Sequence, residues 1–463
     1  MNPASAKRSA LVVAASAAFL TPFMVSAIVI ALPTIGTEFG SDAVSLGWVT
    51  LAYSLAAAMF LVPVGRFADI HGRRKVFIWG VAVYAVSTIL SAASWSLPML
   101  VICRVVEGVG ASMIFGTGTA ILTSVYPLAE RGQALGVNVA ATYLGLSLGP
   151  FLGGFLTQTL GWRAIFLATL PLALLIIVLA MRKLGGEWAE AQGHSFDLVG
   201  SVIYSLALAA VILGFSRLPT AVGAALLVIG LAGLALFVAW EARQASPVLE
   251  IDLFRRNPVF ALSNLAALLN YSATNAVSYF LSLYLQYIKG LSPQQAGLVL
   301  LAQPAMQAIF SPMAGRLSDR VEPRIVASAG MVLTVLGLVL LALLSQGTPM
   351  GLITAALILL GLGFALFSSP NTNAVMSSVD RAHYGVASGV LGTMRLTGQT
   401  ISTAIAMLVL VLHMGRVAVT PEVQGPFVAS AHTLFGVLAA LCTVGVFASL
   451  ARGKVRRRAE AEA

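Results

Sequence analysis

The sequence predicts an all-α polytopic membrane protein with fourteen transmembrane helices, and three observations carry that expectation. Fourteen apolar stretches run along the chain, each near the roughly 20 residues that a helix rising 1.5 Å per residue needs to cross a bilayer. Hydrophobic residues make up 59% of the chain and charged residues 10%, against about 25% charged in soluble domains. The remaining charges are sorted by side. Of the 27 Lys and Arg, only Arg163, Arg217, Lys289 and Arg416 fall opposite the others, while Arg104 and Arg395 fall inside helices. The positive-inside rule then places both termini in the cytoplasm. The formal net charge of +10 is on this reading a topology signal, with no nucleic-acid partner. Contact of the Arg452–Arg458 tail with anionic lipid would strengthen it.

The first six spans are expected near 10–32, 47–66, 76–94, 98–120, 132–160 and 163–182. The first follows Lys7 and Arg8 as a signal peptide would. It is too long for an h-region, however, and ends at Leu32-Pro33 without a small-residue cleavage site, so it reads as an uncleaved helix. Two spans near 198–216 and 221–241 follow the polar stretch Lys183–Asp197, and six more lie near 258–287, 294–315, 323–345, 349–378, 384–413 and 428–451. The connections are too short for a catalytic domain or an ectodomain. Cys103 and Cys442 sit in apolar spans, which leaves no disulfide framework. The histidines His71, His194, His383, His413 and His432 are scattered, so no metal or other cofactor is expected.

The chain repeats itself. Gly65-Arg66-Phe67-Ala68-Asp69 recurs 250 residues later as Gly315-Arg316-Leu317-Ser318-Asp319. Gly132-Gln133-Ala134-Leu135-Gly136 recurs as Gly385-Val386-Ala387-Ser388-Gly389 at an offset of 253, and Gly145 matches Gly398 at the same offset. Nearly equal offsets predict two six-helix bundles, 1–182 and 257–463 with its basic tail, joined by a linker at 183–256 that carries two inserted helices. Repeated halves around a midplane site are the physical basis of alternating access.

Charge within the spans marks the candidate chemistry, because an intramembrane ion is costly by about 2.5 kcal/mol or more and is usually functional. Glu107 is the acid expected deep in a span, about 13 Å from Pro98 at 1.5 Å per residue. Arg104 lies three positions away on the same helix face. Burial and a neighbouring arginine act in opposite senses on such a carboxyl, the condition for exchanging a proton; a static pair that only holds helices together is the competing reading. Arg395 lies about 16 Å into its span, and its partner is open between Glu107 across a cavity, a carbonyl and a substrate. Softer candidates for the cavity are Gln399, Asn264, Asn270, Tyr271, Asn275, Tyr279, Gln303 and Gln307, with Asn371 and Asn373 flanking an expected helix interruption at Ser368-Ser369-Pro370. Polar groups in membrane helices face protein or a water-filled cavity; interhelical contacts worth about 0.6 kcal/mol each are their alternative role.

These residues resemble the major facilitator superfamily over nearly the whole chain, and within it the fourteen-helix drug:proton antiporter family. The loop Gly65-Arg66-Phe67-Ala68-Asp69-Ile70-His71-Gly72-Arg73-Arg74-Lys75 is similar to the superfamily signature between helices two and three. The resemblance implies a gating role for Gly65, Asp69, Gly72, Arg73 and Arg74, and for Gly315 and Asp319 in the repeat. Asp69 in particular is placed to accept hydrogen bonds from a neighbouring helix N-terminus. Gly145, Gly149, Pro150, Gly153 and Gly154 resemble the fifth-helix motif of the export branches, although four-residue glycine spacing alone also makes a smooth packing face. Arg104-Val105-Val106-Glu107-Gly108 is similar to the family's Arg-x-x-Gln-Gly, with Glu107 in place of glutamine. The first helix departs from the pattern Asp-x-Thr-x-x-Asn: Met24 replaces the acid, Ser26 the threonine and Val29 the asparagine. That puts the usual proton site and the counter-ion for cations in doubt.

The expected function is therefore a monomeric inner-membrane exporter of amphipathic small molecules, in exchange for protons and without ATP, since no Walker loop is present. It is not expected to be an enzyme. A lipid or anionic-metabolite exporter, or a proton symporter, is the alternative on the same fold. With Arg104 and Arg395 against a single Glu107, neutral or anionic substrates are expected over lipophilic cations.

Overall fold

The computed structural model describes residues 3–41, 43–291, 293–414 and 424–453. Within them, all regular elements are helices. The first six are α1 (Pro3–Phe39), α2 (Ala43–His71), α3 (Arg73–Ala92), α4 (Leu97–Val125), α5 (Leu128–Leu160) and α6 (Arg163–Lys183). Then come α7 (Leu198–Ser216), α8 (Ala221–Glu241) and the single turn α9 (Asp252–Arg255). The rest are α10 (Pro258–Leu283), α11 (Pro293–Leu300), α12 (Ala302–Arg320), α13 (Pro323–Ala342), α14 (Met350–Ser377), α15 (Tyr384–Met414) and α16 (Gln424–Ala451). Arg416 and the part of the basic tail beyond Gly453 lie outside the described residues. Arg452, expected with that tail at anionic lipid, is instead fully buried and donates to Ser263 and Asn371.

Thirteen spans are long and apolar enough to cross a membrane, α11 and α12 together making one of them. The fourteenth, α10, has the length at 26 residues, but Asn264, Asn270, Asn275 and its hydroxyl residues dilute its apolar character. A polar helix of this kind persists in a membrane because its polar groups face protein rather than lipid. Two expectations about continuity are corrected. The span expected at 294–315 is two helices that meet at Leu301, because Pro304 has no N–H and its ring crowds the Leu300 carbonyl. The interruption expected at Ser368-Ser369-Pro370 is absent, and α14 runs unbroken through it; one proline removes one backbone bond, which a membrane helix tolerates.

Helices α1–α6 share one apolar core, in which Leu20, Phe77 and Phe166 are fully buried. Helices α10–α16 share another, where Phe280 stacks on Phe427 at 4.7 Å and meets Phe435 edge-on. The two groups meet where α2 crosses α15 and where α5 crosses α12. Both crossings are built from the repeated glycine motifs. A Cβ on Gly65 would overlap the Gly385 carbonyl, and one on Gly315 would overlap that of Gly132. The repeat in sequence is thus a repeat in contact, with each copy of the first motif seated on a copy of the second.

Helix α7 occupies the seam between these groups. Tyr204, Leu208 and Ile212 share a cluster with Val62 of α2 and Val390 of α15. Ser205 Oγ donates to the Met59 carbonyl at 2.9 Å, and Tyr204 Oη lies 2.9 Å from Thr393 Oγ1. Helix α8 packs behind α7 and leaves Val228, Ile229, Leu231 and Leu236 exposed, an apolar surface suited to lipid.

Candidate functional site

A cavity of about 320 Å³ lies between α1, α2, α4 and α5 on one side and α10, α14 and α15 on the other. Its polar lining includes Tyr53, Asn138, Thr142, Tyr271, Asn275 and Gln399, and Arg395 is the one charged side chain among its lining residues. Arg395 sits over the Tyr271 ring at 5.6 Å. None of the ion pairs among the described residues involves Arg395, so Glu107 is not its partner. The cavity therefore presents one cation, backed by an aromatic face, to whatever enters.

Arg104 and Glu107 form a fully buried ion pair at 2.8 Å on α4. Arg104 Nε also donates to the Val49 carbonyl at 3.0 Å, and its guanidinium lies 4.4 Å from the centre of the Tyr53 ring. The pair does not line the cavity; Tyr53 does, and stands between the two. One guanidinium nitrogen of Arg104 and Oε1 of Glu107 have no hydrogen-bond partner. A buried ion pair left partly unsatisfied is costly and is held in place here by the surrounding packing.

Of the softer candidates, Tyr271, Asn275 and Gln399 reach the cavity wall, and Asn275 Nδ2 donates to the Gln399 carbonyl at 3.3 Å. The remaining candidates do not line the cavity in this conformation. Asn264 donates to the Phe260 carbonyl one turn back, and Asn270 is fully buried with both side-chain heteroatoms unpartnered. Asn371 bridges the Ser263 carbonyl and Arg452, and Asn373 donates to Ser318. Gln303 and Gln307 are buried in α12, and Tyr279 of α10 is 40% exposed. Met24, at the position where the family pattern has an acid, is fully buried in the first apolar core; α1 gives the cavity Thr21, Pro22 and Val25 instead.

The face carrying most of the basic loops, called here the basic face, is shut by two matching contacts. The Asp69 carboxylate accepts from the backbone N–H groups of Gly385 at 2.9 Å and Val386 at 3.1 Å, in the first turn of α15. Asp319 accepts from Gly132 at 2.7 Å and Gln133 at 2.9 Å near the start of α5. Each carboxylate gains charge-assisted bonds, and Asp69 also meets the positive end of the α15 dipole. Arg73 Nε donates to Asp69 at 2.8 Å, Nη1 donates to Ser124 Oγ, and Nη2 donates to the Arg381 carbonyl. Gly72 has φ 109°, where a side chain is strained and where a Cβ would strike Glu187. Arg74 works within the first helix group. Its guanidinium caps the end of α6 through the carbonyls of Ala180 and Met181.

Two members of this closure were missed in the sequence. Arg131 donates to Tyr384 Oη at 3.3 Å and to Ser377 Oγ at 3.2 Å, and the Tyr384 ring lies between Arg131 and Arg73, at 5.5 and 5.3 Å. A signal for them existed: each directly precedes the first glycine of the motif repeated at an offset of 253. The fifth-helix glycines Gly145, Gly149 and Gly153 face α1, where a Cβ would overlap Phe19, Ser26 or Ala27, whereas Gly154 has room for one. Helix α5 continues unbroken through Pro150.

Comparison with known proteins agrees with this architecture. The family profile described as Major Facilitator Superfamily matches residues 14–241 and 263–463. Over 415 residues the chain is 32% identical to the cephamycin export protein CmcT of Amycolatopsis lactamdurans, spanning 88% of this chain and 85% of that one. It is 31% identical over 385 residues to the multidrug resistance protein Stp of Mycobacterium tuberculosis, 81% of this chain and 71% of that one. The crystal structure of the human organic anion transporter MFSD10 superposes with a TM-score of 0.70 at 17% identity, covering 96% of this chain and 99% of that one. A multi-pass helical membrane protein with repeated halves, a central cavity between them and these relatives is a transporter and not an enzyme; the chain belongs to the major facilitator superfamily, in its family of drug exporters.

Proposed function

We propose that the protein exports neutral or acidic amphipathic molecules across an inner membrane in exchange for protons, acting as a monomer by alternating access. Both termini and the basic face lie in the cytoplasm on this reading, by the positive-inside rule. The observation that carries it is the paired closure of that face by Asp69 on α15 and Asp319 on α5. With the cytoplasmic side shut, the cavity belongs to an outward-facing state. The bodies that rock are the bundles 1–182 and 257–463, and breaking both carboxylate contacts opens the cavity inward.

Glu107 carries the proton. While ionised it holds Arg104, and through Arg104 the Tyr53 ring at the cavity wall. Protonation weakens the pair, frees Tyr53 to move and couples proton arrival to the shape of the cavity. Substrate charge follows from the lining, where Arg395 is unopposed by any acid. A cation about 4 Å from that guanidinium would meet repulsion of about 4 kcal/mol at an effective dielectric of 20. The same observation supports the narrower reading of an anionic-metabolite exporter. No cofactor is needed beyond the proton gradient.

The test is proton movement in pyranine-loaded proteoliposomes under an imposed pH gradient, with acidic, neutral and cationic amphiphiles offered in turn. Acid-stimulated proton uptake is expected in the parent, with near-complete loss in Glu107→Gln. Undiminished coupling in that variant would remove Glu107 from the mechanism. Symport would appear as substrate and protons moving in the same direction.

A further inference from the structure

Beside the central cavity lies a second, larger one of about 760 Å³, walled by α2, α7, α10 and α15. It occupies the half of the molecule away from the basic face, from Trp48 near the start of α2 to Met407 late in α15. The two cavities share Ser54, Asn275, Leu396 and Gln399, so they abut at a polar neck. Arg217, at the far end of α7, is the one charged side chain lining the outer cavity, and no ion pair among the described residues involves it. Each cavity thus holds a single cation, Arg395 within and Arg217 at the mouth. The rest of the outer wall is mixed, apolar at Leu213 and Phe215 of α7 and polar at Thr400 and Thr403 of α15.

We propose that the inserted helix α7 encloses a vestibule which binds an amphipathic acid, its carboxylate at Arg217 and its apolar body along Leu213 and Phe215, on its passage between the central cavity and the far face. Without α7 the cleft between α2 and α15 would open sideways to lipid tails, and an amphiphile leaving the cavity would partition into them. Helix α7 is fixed to both sides of that cleft by Ser205 and Tyr204. Arg217 lies beyond those ties, at the C-terminal end of the helix, where its charge is available to a departing anion. The proposal rests on the export reading only for the direction of passage.

The experiment measures thiol modification of the full chain in proteoliposomes with the far face outward, in a background where Cys103 and Cys442 are alanine. The probes are the anionic reagent MTSES and the cationic reagent MTSET, each rate normalised to that with a free thiol. In Thr403→Cys the anion should be favoured about 10-fold. Adding Arg217→Ala should abolish that preference, whereas adding Arg395→Ala should not. Leu213→Trp should slow MTSES at Asn138→Cys in the central cavity about 10-fold, and Leu213→Ala should leave it unchanged. Equal anion and cation rates at Thr403→Cys would overturn the proposal, as would an Asn138→Cys rate insensitive to Leu213→Trp. Labelling of Thr403→Cys suppressed by phosphatidylglycerol but not by phosphatidylcholine would assign the vestibule to lipid and also overturn it. Neither rate requires transport, so failure of the export reading leaves both readouts standing.

Discussion

At the scale of single residues, the proposed function rests on a few charges whose neighbours are unusual for them. Arg395 faces the cavity with an aromatic ring behind it and no carboxylate beside it. A hydrogen bond from such a group to an anion is worth about 1.5–3 kcal/mol. Arg395→Ala should therefore weaken binding of an acidic substrate by about 10-fold or more, read by equilibrium binding to the purified protein, and leave neutral substrates less affected. On the far face, Glu38 ties α1 to α6, accepting from Trp162 Nε1 at 2.7 Å and from Arg163 Nη1 at 2.8 Å. The Trp162 bond lowers the Glu38 carboxyl below the usual carboxylate range, partial burial opposes that, and Arg163 adds to the lowering. A carboxyl lowered on folding stabilises the fold above its unfolded pKa, and the contribution disappears as pH falls through the lowered value. Trp162 fluorescence should change over that acid window, and the change should vanish in Glu38→Gln.

Among the elements, α5 shows how a sequence motif becomes a packing surface. Gly145, Gly149 and Gly153 bring α1 against α5, with backbone atoms of α1 where side chains would stand. Close approach of this kind supplies dispersion contacts in a medium where apolar burial alone does not hold helices together. Gly149→Leu should destabilise the protein by about 1–3 kcal/mol or more through overpacking. Gly154→Ala, with its nearest neighbour at 3.6 Å, should be close to neutral. Thermal unfolding in detergent, followed by fluorescence of the buried Trp162, would separate the two. An equal loss in both variants would show that the stripe is not the contact that matters.

For the whole molecule, the proposed alternation makes the balance of outward- and inward-facing states depend on the Asp69 and Asp319 contacts. Asp69→Asn keeps the shape but removes the charge that favours the α15 N-terminus. A loss of about 1.5–3 kcal/mol shifts a two-state population by about 10- to 100-fold. Electron–electron resonance distances across the basic face should lengthen in Asp69→Asn and again in Asp319→Asn, and the double variant should exceed either. Substrate affinity, measured in a state trapped outward, should change little. Distances that stay fixed in all three variants would remove the closures from the mechanism.

The membrane class, the side bearing the basic loops and the repeated motifs were legible in the chain itself. Of the fourteen spans expected, thirteen are long and apolar enough to cross a membrane, and α10 is the exception among the described residues. The Arg104–Glu107 pair was legible too, because residues three positions apart on one helix face meet whatever the tertiary fold. The Asp69 contact with a helix N-terminus was legible from the resemblance of its loop to the superfamily signature, since a helix N-terminus favours an anion. Other features were decided only in three dimensions. The separation of Asn275 and Gln399, at the cavity, from Asn264, Asn371 and Gln303, buried between helices, depends on how each helix is rotated. In a soluble protein, apolar periodicity would report that rotation. In a bilayer, lipid is as apolar as the protein core, so the pattern does not tell inside from outside. Placing α7 in the seam, and Arg131 beside Tyr384, likewise required contacts between residues 189 and 253 positions apart. Local spacing carries no record of such contacts, and only the assembled halves bring them together.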